Sequence, residues 1–160
     1  MTDYQGLLET LAKGAVEFIL IGGVAAYLHG SARSTNDVDV VYRRTPENID
    51  RVIAALAPWH PRLRGAPKEL PFRFDAITIR SGLNFTFATD LGDIDILGEV
   101  VGGGGYDDLL PDSDLAEVLG VSCRVLNLDK LIAIKRAAGR PKDFEAVAEL
   151  ELIRDRKPGP

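Results

Sequence analysis

A chain of 160 residues, 46% apolar and 27% charged, is sized for one domain with a real core. Its formal charge of −5 argues against an indiscriminate nucleic-acid coat, and its lone Cys123 excludes an internal disulfide or a cysteine-built zinc site. No apolar run is long enough to span a membrane, and the opening Met-Thr-Asp-Tyr-Gln lacks a secretory signal's basic-then-apolar layout; the expectation is a cytoplasmic protein with no membrane partner.

Tyr4, Leu7, Leu8, Leu11 and Ala12 recur at helical spacing, and Gly14 supplies the stop. Residues 17–21 form a short apolar, partly β-branched run ending at Gly22-Gly23, which predicts a buried strand. A short helix over 24–28 follows, closed by Gly30; a polar loop covers 31–36 and a second strand 37–42. Thr45-Pro46 combines an N-cap with a proline at the first helical position, and Ile49, Val52, Ile53 and Leu56 make the apolar stripe of a helix ended by Pro58. The prolines and basic residues of 59–71 suggest a loop.

Two alternating runs, 84–89 and 93–97, are joined through Asp90-Leu91-Gly92 and predict a hairpin. A glycine stretch at 102–105 is too short for a domain linker. Runs 115–119 and 122–126 flank Gly120 and suggest another strand pair. Two helices close the chain, 128–138 and 142–153, separated by Gly139-Arg140-Pro141. The expected fold class is α+β, a mixed sheet with flanking helices and a C-terminal helical pair. Residues 1–127 would form the core and 128–155 the helices packed on it, a single domain with a frayed tail at 156–160.

The chemistry concentrates in Asp37-Val38-Asp39-Val40-Val41. On a strand the two aspartates share one face while Val38 and Val40 enter the core. Two partly buried carboxylates at this spacing repel each other, and a divalent cation relieves both the repulsion and the burial penalty. The pair fits equally well as the solvent face of an edge strand. Asp93-Ile94-Asp95-Ile96-Leu97 repeats the pattern; Asp95 is the better third ligand, because Asp93 abuts the turn glycine and suits a turn. Gly22-Gly23, between strand and helix, would let a backbone approach a phosphate at a helix N-terminus, though such a pair is more often only a tight turn. No Walker-type lysine follows it.

Arg33, between the glycines and the carboxylates, is in reach of triphosphate oxygens or is a solvated loop arginine. Cys123 suits a buried strand rather than a nucleophile. Lys130, Lys135, Arg136, Arg140 and Lys142 form a basic stretch without an acid among them.

Phe18-Ile19-Leu20-Ile21-Gly22-Gly23, followed after thirteen residues by Asp37-Val38-Asp39-Val40, resembles the signature of the DNA polymerase β-like nucleotidyltransferase superfamily. Ile94-Asp95-Ile96 is similar to that superfamily's later element. Residues 33–37, 91–97 and 135–143 further resemble its bacterial abortive-infection (AbiEii-like) and toxin branch. The resemblance implies a palm-type sheet and two Mg²⁺ ions, for which Mn²⁺ can substitute. Asp37 and Asp39 would bridge the metals; Asp95 would hold one and help deprotonate the acceptor. Gly22 and Gly23 would sit near the β- and γ-phosphates.

The same resemblance places Lys135 and Asp143 in the active centre; otherwise they would be a helix-end cation and a carboxylate at a helix N-terminus, each favourable to the dipoles. The implied activity is transfer of a nucleoside monophosphate from a nucleoside triphosphate to an acceptor hydroxyl with pyrophosphate release. The implied acceptor is RNA, such as tRNA, in a toxin–antitoxin or phage-defence setting with a cognate antitoxin or partner protein. The alternatives are nucleotidylation of an antibiotic or a protein, and a non-catalytic antitoxin-like member.

Overall fold

The computed structural model describes residues 1–156; the last four residues of the expected tail lie outside them. Helix α1 (Tyr4–Lys13) is capped by Asp3, whose carboxylate accepts from the Gly6 amide, and it buries Leu7, Leu8 and Leu11. Each such leucine is worth about 1.5–3 kcal/mol of transfer free energy. Strand β1 (Phe18–Ile21) is buried along its whole length, and helix α2 (Gly22–Leu28) follows with no intervening loop. Strand β2 (Asp37–Tyr42) leads to helix α3 (Pro46–Leu56), which Thr45 caps and which buries Ile49, Val52 and Leu56.

The segment expected as plain loop holds a two-residue strand, β3 (Arg62–Leu63), and helix α4 (Ala76–Ser81) follows it. The expected hairpin is present as β4 (Asn84–Thr89) and β5 (Gly92–Leu97). Then come α5 (Tyr106–Leu109), the pair β6 (Ser113–Val118) and β7 (Val121–Leu126), and the helices α6 (Leu128–Ala138) and α7 (Pro141–Arg156). The C-terminal pair is therefore present, with α7 running three residues past its expected end.

The seven strands of the described residues make one mixed sheet in the order β3-β4-β5-β2-β1-β7-β6. β2 runs antiparallel to β1 and parallel to β5, and β1 runs parallel to β7. Strand β2 is thus interior, with neighbours on both sides, so the alternative that its aspartates decorate an edge strand falls. Val38, Val40, Ile94 and Ile96 fill the core from one face, and the alternating aspartates of β2 and β5 are left on the other. The fold is α+β, as expected.

Candidate active site

The turn from β1 into α2 brings the chain against β2. Gly22 has φ of +71°, and a Cβ there would lie 2.0 Å from Asp39 Oδ2. A Cβ on Gly23 would lie 2.6 Å from the Cβ of Thr35. The pair is glycine because Asp39 and Thr35 press on it, a closer constraint than the phosphate clearance expected from sequence. The first turn of α2 has no side-chain cap, so no side chain of the described residues takes up its leading amides.

Parallel pairing of β2 with β5 sets Asp37 beside Asp93 and Asp39 beside Asp95. Asp37, Asp39 and Asp95 each offer a carboxylate oxygen, all within 4.8 Å of one another. Thr35 Oγ1 donates to Asp37 Oδ1 at 3.2 Å. Burial, then the charges of Asp37 and Asp95, push the Asp39 carboxyl up to about 8. Three hard oxygen donors under that tension fit a divalent cation, whose charge would remove it. Asp93 stands at the adjacent register position but outside this trio.

Arg64 is a residue that sequence reading did not single out. It follows β3, its amide donates to the Thr86 carbonyl, and the edge pairing carries its side chain over β4 to the carboxylates. Its Nη2 donates to Asp95 Oδ1 at 2.6 Å and stands 3.6 Å from Asp37 Oδ2; Nη1 lies 3.9 Å from Asp93 Oδ2. The Phe87 carbonyl accepts from Nη1 at 3.1 Å. No periodicity marks a two-residue strand among prolines and basic residues, so the segment suggested a solvated loop.

The carboxylates open into a cleft of about 500 Å³ lined by β1, α2, the 31–35 loop, β2, β5, α6 and α7. Gly22, Gly23, Arg33, Lys135 and Asp143 all line it, so the residues named from sequence meet in one place. Burial pushes the Lys135 ammonium below its usual value, against the pull of Asp143 and Asp39. Burial alone would raise the Asp143 carboxyl, but Arg140 outweighs it: Nε and Nη2 donate at 2.7 and 3.2 Å, and the Arg140 amide at 3.1 Å, which holds Asp143 below the usual range. Arg33 reaches Glu145 of α7 at 3.4 Å in an exposed pair. Cys123 is buried in β7, and burial alone raises its thiol to about 11, as suits a packing residue.

No protein-family model matches the sequence, and no curated protein does. Solved structures do. A candidate nucleotidyltransferase from Thermotoga maritima superposes with a TM-score of 0.58 at 15% identity, covering 95% of this chain and 91% of that one. The lincosamide antibiotic adenylyltransferase LnuA, in its lincomycin-bound form, gives 0.60 at 14% identity over 95% and 98% of the two chains. The ANT(2'')-Ia complex with adenylyl-2''-tobramycin gives 0.52 at 15% identity over 94% and 92%. The chain has the nucleotidyltransferase fold. At these identities the likeness is one of architecture, and within that nucleotidyltransferase fold it is this chain's own residues that must carry any chemistry.

Proposed function

We propose that the chain is a divalent-metal-dependent nucleotidyltransferase, and the observation that carries this reading is the convergence of Asp37, Asp39 and Asp95 within 4.8 Å on the floor of the cleft. Asp37 and Asp39 would hold two ions between them and Asp95 would share one. Mg²⁺, or Mn²⁺ in its place, would supply the positive charge that stabilises the attacking and leaving oxygens. The Gly22-Gly23 turn and the uncapped first turn of α2 would take the β- and γ-phosphates on backbone amides, helped by Lys135 and Arg33. Asp143 would hold Arg140 at the rim, on the nucleotide side. Asp95 would receive the proton of the acceptor hydroxyl as its oxygen bonds to the α-phosphorus and the bond to pyrophosphate breaks.

Two acceptor classes suit this site. The basic stretch 130–142 supports an RNA acceptor, as in toxin–antitoxin or AbiEii-like defence systems. Against it, Arg136 is paired with Glu151 and Arg140 with Asp143, so two of its five cations are neutralised from within. That favours a small hydroxylated acceptor as the second reading, of the kind that the antibiotic adenylyltransferases of the same fold act on.

The test is pyrophosphate release and label transfer from each nucleoside triphosphate with Mg²⁺, offered total RNA in one arm and lincosamides and aminoglycosides in the other. Transfer in either arm is expected, with Asp37→Asn and Asp39→Asn each lowering it about a thousandfold or more, the loss of several kcal/mol of transition-state stabilisation. Full activity in either variant would defeat the assignment.

A further inference from the structure

Arg64 deepens this reading. Its guanidinium places a full positive charge against Asp95, Asp37 and Asp93, with the shortest contact, 2.6 Å, on one of the proposed metal ligands. The arginine is not there by accident of a long side chain on a free loop. β3 pairs Arg62 with Ala88 and Leu63 with Phe87, the Arg64 amide bonds the Thr86 carbonyl, and Thr86 pairs with Asp95. Arg64, Thr86, Asp95 and Asp39 therefore occupy one cross-strand row of the sheet. The Phe87 carbonyl fixes the other end of the guanidinium.

We propose that Arg64 is a built-in counter-cation of the metal site, which neutralises the carboxylates when metal is absent and which a divalent ion must compete with for Asp95. It is a positioning residue: it touches Asp95, holds Oδ1 and leaves the second oxygen free to turn toward Asp39. The competition weakens metal binding in the absence of nucleotide. A triphosphate, arriving with charge of its own, then tips the balance, so metal and nucleotide load together. This inference rests on the proposed metal site.

Binding of Mn²⁺ alone, without nucleotide, tests it. Paramagnetic resonance of free Mn²⁺ gives the affinity, with far-UV circular dichroism confirming the fold. Arg64→Gln removes the charge but keeps a polar side chain, and it is expected to bind Mn²⁺ roughly tenfold tighter, the effect of relieving one positive charge about 5 Å from a divalent ion when water screens the pair. Arg64→Lys keeps the charge and is expected to stay within about twofold of the natural chain. A merely structural arginine would give the opposite sign, because loosening Asp95 would weaken the ion's hold.

Unchanged or weaker binding by Arg64→Gln, or equal tightening by both variants, would overturn the proposal while leaving the proposed function standing. Failure of both the natural chain and Arg64→Gln to bind Mn²⁺, with a nucleoside triphosphate present as well as without it, would bring down both.

Discussion

Asp39 is the residue on which most local pressures meet. It abuts Gly22, faces Asp37 and Asp95, and carries a carboxyl raised from its ordinary 3.8 to about 8 by burial first and by those neighbours second. In the unfolded chain the group ionises near its ordinary value, so between the two values the folded state binds the extra proton. The metal-free protein is therefore expected to hold this contribution in full in acid and to lose it as pH rises toward 8. Urea denaturation in chelator at pH 5 and pH 8 measures the slope. Asp39→Asn should flatten it and gain on the order of 1–2 kcal/mol at pH 8, since the amide has no charge to desolvate; an unaltered slope would deny the strain.

Gly22→Ala, by contrast, combines a left-handed backbone with a Cβ 2.0 Å from Asp39 Oδ2, and should cost both stability and metal binding. The aspartate alternation and the glycine pair were readable because a period of two and a glycine pair are one-dimensional signals. Arg64 was not, because its role arises from pairing between strands distant in sequence.

Elements divide along the same line. The helices α1, α3, α6 and α7 and the β4–β5 hairpin carry caps, stripes or alternation within their own segments, and their existence could be read directly. β3, α4 and α5 are two, six and four residues long, too short for a period to declare itself. Asn48 shows how an element is set by a contact no local pattern announces. Fully buried in the first turn of α3, it accepts from the Glu17 amide at 2.7 Å and donates to the carbonyls of Glu17 and Arg43 at 3.0 and 2.7 Å. One side chain thereby ties the entry of β1 to the exit of β2, the two strands that frame Gly22 and Asp39. Asn48→Ala would leave the Glu17 amide and the Arg43 carbonyl without partners, the Glu17 carbonyl keeping the Arg43 amide, at a cost of about 2–4 kcal/mol. Chemical denaturation should show it as a lower midpoint with an unchanged slope.

The whole molecule closes around the loop of residues 31–36. Tyr4 Oη of α1 donates to the Thr35 carbonyl, and Thr2 Oγ1 donates to that of Asn36. From the opposite side, Glu149 of α7 accepts from the Ser31 hydroxyl and from the Ala32 amide at 3.0 Å, while Glu145 pairs with Arg33. The C-terminal helices are thus fastened to the segment that carries Arg33 and Thr35, and the proposed nucleotide side of the cleft depends on that fastening. The metal side depends on it less, since strand register places Asp37, Asp39 and Asp95, with Thr35 of the loop adding a hydrogen bond to Asp37. Calorimetric melting can separate the two.

In the natural chain Mn²⁺ should raise the melting temperature, and a nucleoside triphosphate at about a hundred times its Kd should add a further ~2.7 kcal/mol, roughly 5–10 °C for a chain of this size. Glu149→Ala frees Ser31 and the Ala32 amide without touching a carboxylate of the cluster. It should keep the rise given by Mn²⁺ alone and lose most of the increment given by nucleotide. An equal loss of both would mean that α7 supports the sheet itself, and retention of both would mean that the nucleotide is held without the loop.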